Sequence, residues 1–306
     1  MAKQIFGGDW TEEKLNRVGK YLPAYVHVLK DKGLKYAYID AFAGTGYREL
    51  KDTESKGQES QLLLFPELAE QETQKFLDGS ARIALQTKPR FHQYIFIEKD
   101  RNKALELKKL KTEFPELNQD IIIVNSDANS YLIDLCHQGK DYWKTRRAVL
   151  FLDPFGMQIP WSTIEAIAQT QAMDLWYLFP LGIAVNRLLT RDGNIQESWQ
   201  KKLDEIFGTT DWKNVFYAPV EPQTKQLSLF EIDNYSPTEK TEKIANFESI
   251  SRYFVERLKT VFAGVADNPL VLRNSCNNPL YLLCFASANP KGSKTAIKIA
   301  QHILKS

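Results

Sequence analysis

Four acidic residues stand where an apolar run gives way to a turn: Asp40, Glu98, Asp127 and Asp153. A carboxylate in such a place accepts hydrogen bonds from an amine or a hydroxyl, and the acceptor-only oxygens of Glu98 suit both hydroxyls of a ribose. After Asp40, the turn Phe42-Ala43-Gly44-Thr45-Gly46 lets the backbone bend sharply and a ligand approach it closely. After Asp153, the residues Pro154-Phe155-Gly156 put an aromatic residue beside the carboxylate in a turn. Each motif has a structural alternative. The glycines could make a simple tight turn, Glu98 could open a solvated charged loop, Asp127 and Asp153 could cap the next helices in the chain, and Phe155 could pack beneath its own loop. Four carboxylates at the ends of four consecutive strands are hard to account for as four independent caps.

The elements that must hold these residues are set by the apolar pattern. Asp9 to Glu12 has the form of a capping box, and Leu15, Val18, Leu22, Tyr25, Val26 and Leu29 recur at helical spacing until Gly33, which predicts an amphipathic leading helix within residues 1–34. The runs Tyr36–Phe42, Tyr94–Ile97, Ile121–Val124, Ala148–Leu152 and Leu175–Phe179 are too short, and too rich in β-branched and aromatic residues, to be independent helices. Their unbroken apolar character fits parallel strands covered on both faces. Helical stretches at about Arg101–Glu113, Ala128–His137 and Trp161–Gln169 alternate with them, which predicts a doubly wound α/β sheet whose crevice lies at the carboxyl ends of the strands. Beyond a helix at about Glu242–Val261, Leu270–Arg273 and Tyr281–Phe285 predict a terminal antiparallel hairpin, with a last helix at about Lys294–Leu304. Residues 48–78 and 218–243 interrupt this pattern as two insertions in a single domain.

The chain has 306 residues, 43% hydrophobic, with 40 basic and 38 acidic side chains. A net charge of +2 provides no global field for nucleic acid or an acidic membrane, so such a partner would have to be held by a local patch. Candidates for a nucleic-acid patch are Lys99 and Arg101 after the second strand, and Lys144, Arg146 and Arg147 beside Tyr142 and Trp143, unless these are solvated helix faces. The longest uncharged apolar stretch, Leu175 to Val185, is too short to cross a bilayer. The first ten residues lack the form of a secretory signal, so a cytoplasmic location is expected. Cys136, Cys276 and Cys284 contain no close pair and are expected to be buried, reduced thiols, with no metal implied.

In its order of motifs the chain resembles the class I S-adenosylmethionine-dependent methyltransferases. Tyr38–Gly46, Gly79–Leu85, Phe96–Asp100, Phe151–Gly156 and the tail from Pro279 to Lys294 more closely resemble the three-Cys-motif partner (TcmP) family, over most of the chain apart from the two insertions. The resemblance implies a seven-stranded Rossmann-like sheet with one antiparallel strand and S-adenosylmethionine as cofactor. Asp40, Phe42, Gly44 and Gly46 would lie at its methionine end, Glu98 at the ribose and Asp127 at the adenine. The separation of 52 residues between Gly46 and Glu98 departs from the usual ~20, unless Gly79-Ser80 resumes the first helix after the insertion. Asp153, Pro154 and Phe155 are similar to the loop of amino-methyltransferases of nucleic acids, and closest to that of the tRNA N2-guanine dimethyltransferases. The implied activity is methyl transfer to an exocyclic amine of a base, in DNA repair, modification or a mobile element. The alternative is a catalytically silent subunit supporting the family's iron–sulfur, radical-type partner enzyme, to which the three cysteines of the name belong. A nicotinamide oxidoreductase is less favoured, because no G-x-G-x-x-G run comes after the first strand. Finally, Gln226-Leu227-Ser228-Leu229-Phe230 is similar to peptides that dock on the replication sliding clamp, although Gln61–Phe65 nearly repeats it.

Overall fold

The computed structural model describes residues 9–45, 79–220 and 241–306. The leading helix α1 (Asp9–Leu29) enters β1 (Lys35–Asp40). From α2 (Ser80–Gln86) onward, strands and helices alternate: β2 (Gln93–Ile97), α3 (Arg101–Leu107), α4 (Lys109–Glu113), β3 (Ile121–Val124), α5 (Ala128–Cys136), α6 (Lys140–Lys144), β4 (Arg146–Leu152), α7 (Trp161–Gln169) and β5 (Met173–Phe179). The expected helix Arg101–Glu113 is two helices, because the chain steps at Lys108.

A π-helical turn, Leu181–Val185, succeeds β5. Next come α8 (Glu197–Phe207), α9 (Trp212–Phe216) and a ribbon of β6 (Tyr217–Pro219) and β7 (Thr241–Lys243). The second insertion thus leaves and re-enters the domain through paired strands. Its clamp-like residues Gln226, Leu227, Leu229 and Phe230 lie outside the described residues. The helix expected from Glu242 starts later, as α10 (Phe247–Lys259), because Asn246 and Ser249 form a reciprocal cap there. The chain ends with β8 (Gly264–Val265), β9 (Leu270–Arg273), β10 (Pro279–Ser287) and α11 (Ser293–Lys305).

The sheet runs β3-β2-β1-β4-β5-β10, with β8 and β9 both pairing β10. The first five strands are parallel, and β10 is antiparallel to β5. Among the described residues this sheet has eight strands where seven were expected, yet they occupy seven positions. Residues 264–273 run antiparallel along β10 as one interrupted edge, pairing at Ala286–Ser287 and again at Pro279–Leu283. The doubly wound order and the terminal antiparallel hairpin are both present.

Alternation along the buried strands feeds two cores. On β5, Leu175, Tyr177 and Phe179 face the side that holds Leu132, Ile164, Leu203 and Phe254. Trp176 and Leu178 face the side of Leu22, Leu85, Leu107 and Ala300. Both faces are therefore covered, which explains the uninterrupted apolar runs. One carboxylate is buried in the second core: Asp174 accepts from the Tyr21 hydroxyl at 2.6 Å, and desolvation pushes it up to about 6.

Cys136 and Cys284 are buried as expected, and burial raises the Cys136 thiol to about 12. Cys276 corrects the expectation for the third. It is exposed, in a tight turn where the Asn274 side chain accepts from the backbone of Cys276 and Asn278. Among the described residues no helix is long and apolar enough to cross a membrane.

Candidate functional site

The parallel order reverses direction between β1 and β4, the position where open α/β sheets form a ligand crevice. Register sets both strands' ends at one level, with Asp40 beside Phe96 and Phe151. Backbone bonds then fix the segments just beyond the strands: Ala41 N donates to Phe151 O, Ala43 N to Ile97 O, and Glu98 N to Val124 O, at 2.9–3.1 Å. Above this edge lies a cleft of about 620 Å³, lined by the turn from Ala41 to Thr45, Gly79-Ser80, Glu98 to Asp100, Asp127 to Asn129, and Asp153 to Phe155.

The structure therefore brings most of the predicted residues together. Phe42 and Gly44 line the turn, and Gly46 lies outside the described residues. Gly44 has φ +61° and, among the described residues, nothing within 4 Å of where a Cβ would stand, so the wall there is bare backbone. Glu98 uses Oε1 to accept from Asp100 N at 2.7 Å, and Oε2 has no partner among the described residues. Asp127 also takes its structural alternative: it caps α5 by accepting from Ser130 N at 3.2 Å, and it lies 3.6 Å from Lys99 Nζ.

Asp40 is placed differently from the expectation. It is fully buried one layer behind the cleft wall. Its Oδ1 accepts from Phe42 N at 3.2 Å, and its Oδ2 from Ser80 Oγ at 2.5 Å. It ties the end of β1 to the start of α2 across the first insertion, and α2 does resume at Ser80. Asp40 is thus a positioning residue for the turn.

Desolvation pushes the Asp40 carboxyl up to about 7, opposed by the bonds from Ser80 and Phe42 and reinforced by Asp153. The folded chain then holds this proton more tightly than the unfolded chain. The associated stability is complete below the ordinary value of 3.8 and is lost as pH rises through about 7. Urea titrations of wild type and Asp40→Asn at about pH 5 and about pH 8 should show the wild type losing stability relative to the amide variant at the higher pH. A constant difference between the two proteins would contradict this linkage.

Asp153, Pro154 and Phe155 adopt neither structural alternative. The residue preceding α7 is Pro160, with no side-chain cap, so Asp153 caps nothing. Phe155 is 58% exposed and packs under no loop. Its N–H donates to Gln158 Oε1 at 3.0 Å, and Gly156 takes φ +68°. Asp153 Oδ2 accepts from Lys14 Nζ at 2.5 Å, and Oδ1 has no bond among the described residues.

Lys14, which sequence reasoning missed, is 5% exposed and lies 5.0 Å from the centroid of the Trp10 ring, itself stacked on Tyr281. The leading helix and β10 thus complete the cleft wall with Thr11, Lys14, Leu15 and Tyr281. A signal for Lys14 was present. It sits four residues after Trp10 and four before Val18, a lysine on the apolar stripe of α1.

The basic residues fall into two groups. Lys99 and Lys103 line the cleft, with exposed Arg101 on α3 nearby. Lys144, Arg146 and Arg147 lie at the opposite end of β4, about 23 Å from Asp153 at the usual strand rise. They do not form one surface with Lys99 and Arg101.

No protein-family model and no curated protein matches the chain. Among solved structures it is similar to protein LPL1258 from Legionella pneumophila str. Philadelphia 1, of family model DUF519, at 13% identity and TM-score 0.47, covering 97% of this chain and 92% of that one. It is also similar to Trm1 from Pyrococcus horikoshii, solved with S-adenosyl-L-methionine, at 13% identity and TM-score 0.43, covering 92% of this chain and 58% of that one. A spermidine synthase in complex with the transition-state analogue AdoDATO matches at 11% identity and TM-score 0.35, over 92% of this chain and 59% of that one.

Proposed function

We propose that this chain is an S-adenosylmethionine-dependent methyltransferase that methylates an exocyclic amine of a nucleic-acid base. The observation that carries the reading is the Asp153–Phe155 loop: an exposed aromatic ring at the cleft mouth, next to a carboxylate anchored through one oxygen and open at the other.

The cleft fits the cofactor on three counts. Its volume, about 620 Å³, falls within the range of small-molecule sites. The bare backbone at Gly44 leaves room for close approach, and Glu98 Oε2 is an unused acceptor where ribose hydroxyls would lie. Glu98 would hold the ribose, Asp127 the adenine, and the Phe42–Gly46 turn the methionine end. When bound, S-adenosylmethionine supplies an electrophilic methyl group.

The chain's own part is orientation and exclusion of water. Asp153 Oδ1 accepts one amine N–H and the Pro154 carbonyl the other, which points the nitrogen lone pair into the cleft. Phe155 stacks on the extruded base. Lys14 holds Oδ2, so that Oδ1 is the oxygen presented. Removing the stacking ring should leave the cofactor untouched: Phe155→Ala is expected to raise KM for nucleic acid by about tenfold or more, at ~1–3 kcal/mol per stacked base. Steady-state kinetics at varied nucleic acid check this, and an unchanged KM would remove Phe155 from the substrate site.

The substrate class is tested by methyl incorporation into total DNA, tRNA and rRNA. Transfer to one of them, lost in Asp153→Ala, supports the proposal. Cofactor binding without transfer to any would support instead the silent subunit of a radical-type partner enzyme, in keeping with the resemblance to the three-Cys-motif partner family. Docking of Gln226–Phe230 on a sliding clamp is a further proposal of this reading, checked by co-elution of the two proteins with and without Phe230→Ala.

A further inference from the structure

A second concavity, of about 320 Å³, lies at the opposite end of the sheet from the cleft, where β1, β2 and β4 begin. Its apolar floor is formed by the half-buried Ala37, Leu135 and Tyr142, over the buried Ile39, Ile95 and Trp143. Lys35, His92, Gln93, Arg146 and Arg147 also line it. Among the described residues no carboxylate lines it, although the chain carries nearly as many acidic as basic side chains.

Two of the cations here lack an anionic partner. Among the described residues, neither Lys35 nor Arg146 makes an ion pair. The Arg146 guanidinium is held over the Tyr142 ring, 4.3 Å from its centroid, and donates to Tyr142 O at 3.4 Å. A fixed guanidinium loses less freedom when it binds an anion. His92 contributes nothing to the floor: its Nδ1 accepts from Tyr36 N at 3.3 Å and its ring meets the Tyr36 ring, which faces the other core. Arg147 contributes less, because its guanidinium donates to Trp143 O and Arg146 O and its charge acts on Asp174. An apolar floor with rigid aromatic walls and several donors at one rim matches a flat apolar body bearing one multi-oxygen anion.

We propose that this pocket is a second ligand site for a nucleoside monophosphate, with the base beside Tyr142 and the phosphate at Lys35 and Arg146, which are paired in register on neighbouring strands. The site is separate from the cleft at the strands' carboxyl ends and does not depend on the activity proposed for it.

Calorimetric titration of the full chain with AMP, adenosine and inorganic phosphate tests this, with S-adenosylmethionine in excess so that the cleft given to its adenosine portion is not available to the probes. AMP is expected to bind at least about tenfold more tightly than either fragment, since it alone uses both floor and rim. Lys35→Glu and Arg146→Gln should each weaken AMP by about fivefold or more, whereas Glu98→Ala, in the other cleft, should leave AMP binding unchanged. Lys35 is exposed, so its reversal tests the rim even if Arg146→Gln disturbs folding. The proposal is overturned if phosphate alone binds as well as AMP, if Lys35→Glu has no effect, or if Glu98→Ala abolishes AMP binding.

Discussion

Asp153→Ala is expected to lower methyl transfer by on the order of 100-fold or more, while affinity for S-adenosylmethionine stays nearly unchanged. The reason lies in how Asp153 and Glu98 are held in the cleft. Asp153 stands at the end of β4 with one oxygen bound by Lys14 and the other open, and it caps no helix. Removing it deletes the acceptor that would orient the amine without touching the turn after β1. Single-turnover transfer from labelled cofactor gives the rate, and calorimetry gives the affinity. A large loss of cofactor affinity in this variant would contradict the role given to Asp153.

Glu98→Ala is expected to do the reverse and weaken the cofactor by about 10- to 100-fold, as loss of hydrogen bonds to a charged group costs ~1.5–3 kcal/mol. Glu98 is fixed by the backbone bond of its own N–H to Val124 and by acceptance from Asp100 N, so its side chain is preorganised at the rim. The variant also removes the acceptor for Asp100 N. Thermal unfolding should therefore accompany the titration, so that a fold defect is not read as lost binding. At saturating cofactor, transfer by Glu98→Ala should recover most of the wild-type rate. Failure to recover would mean that Glu98 acts in the transfer itself.

The sheet was legible in the sequence because burial on both faces leaves an unmistakable trace. Ile121–Val124 and Leu270–Arg273 were located to the residue, and β5 was short by two. Elements whose stability comes from tertiary packing were not seen. Glu197–Phe207 and Trp212–Phe216 bury Leu203, Phe207, Trp212 and Phe216 against α10 and β5; only the first carries a local signal, Trp199, Leu203, Ile206 and Phe207 at helical spacing, and the second is too short to show one.

The candidate site was legible at its strand ends, where position in the alternating pattern assigns the carboxylates to one edge. It was not legible in depth. Whether Asp40 faces the cleft or the layer behind it depends on the return of the chain at Ser80, long after the turn. Lys14 is separated from Asp153 by 139 positions, and only packing of α1 over the sheet edge brings them together. The basic residues failed for a related reason. Lys144–Arg147 is near Asp153 in sequence, but a strand carries the two to opposite ends of the sheet.

Calorimetric titration of the folded chain with S-adenosylmethionine tests the central claim most directly. Saturable binding at one site per chain is expected, weakened by Glu98→Ala and retained in Asp153→Ala. Absence of any binding by protein shown to be folded would contradict it.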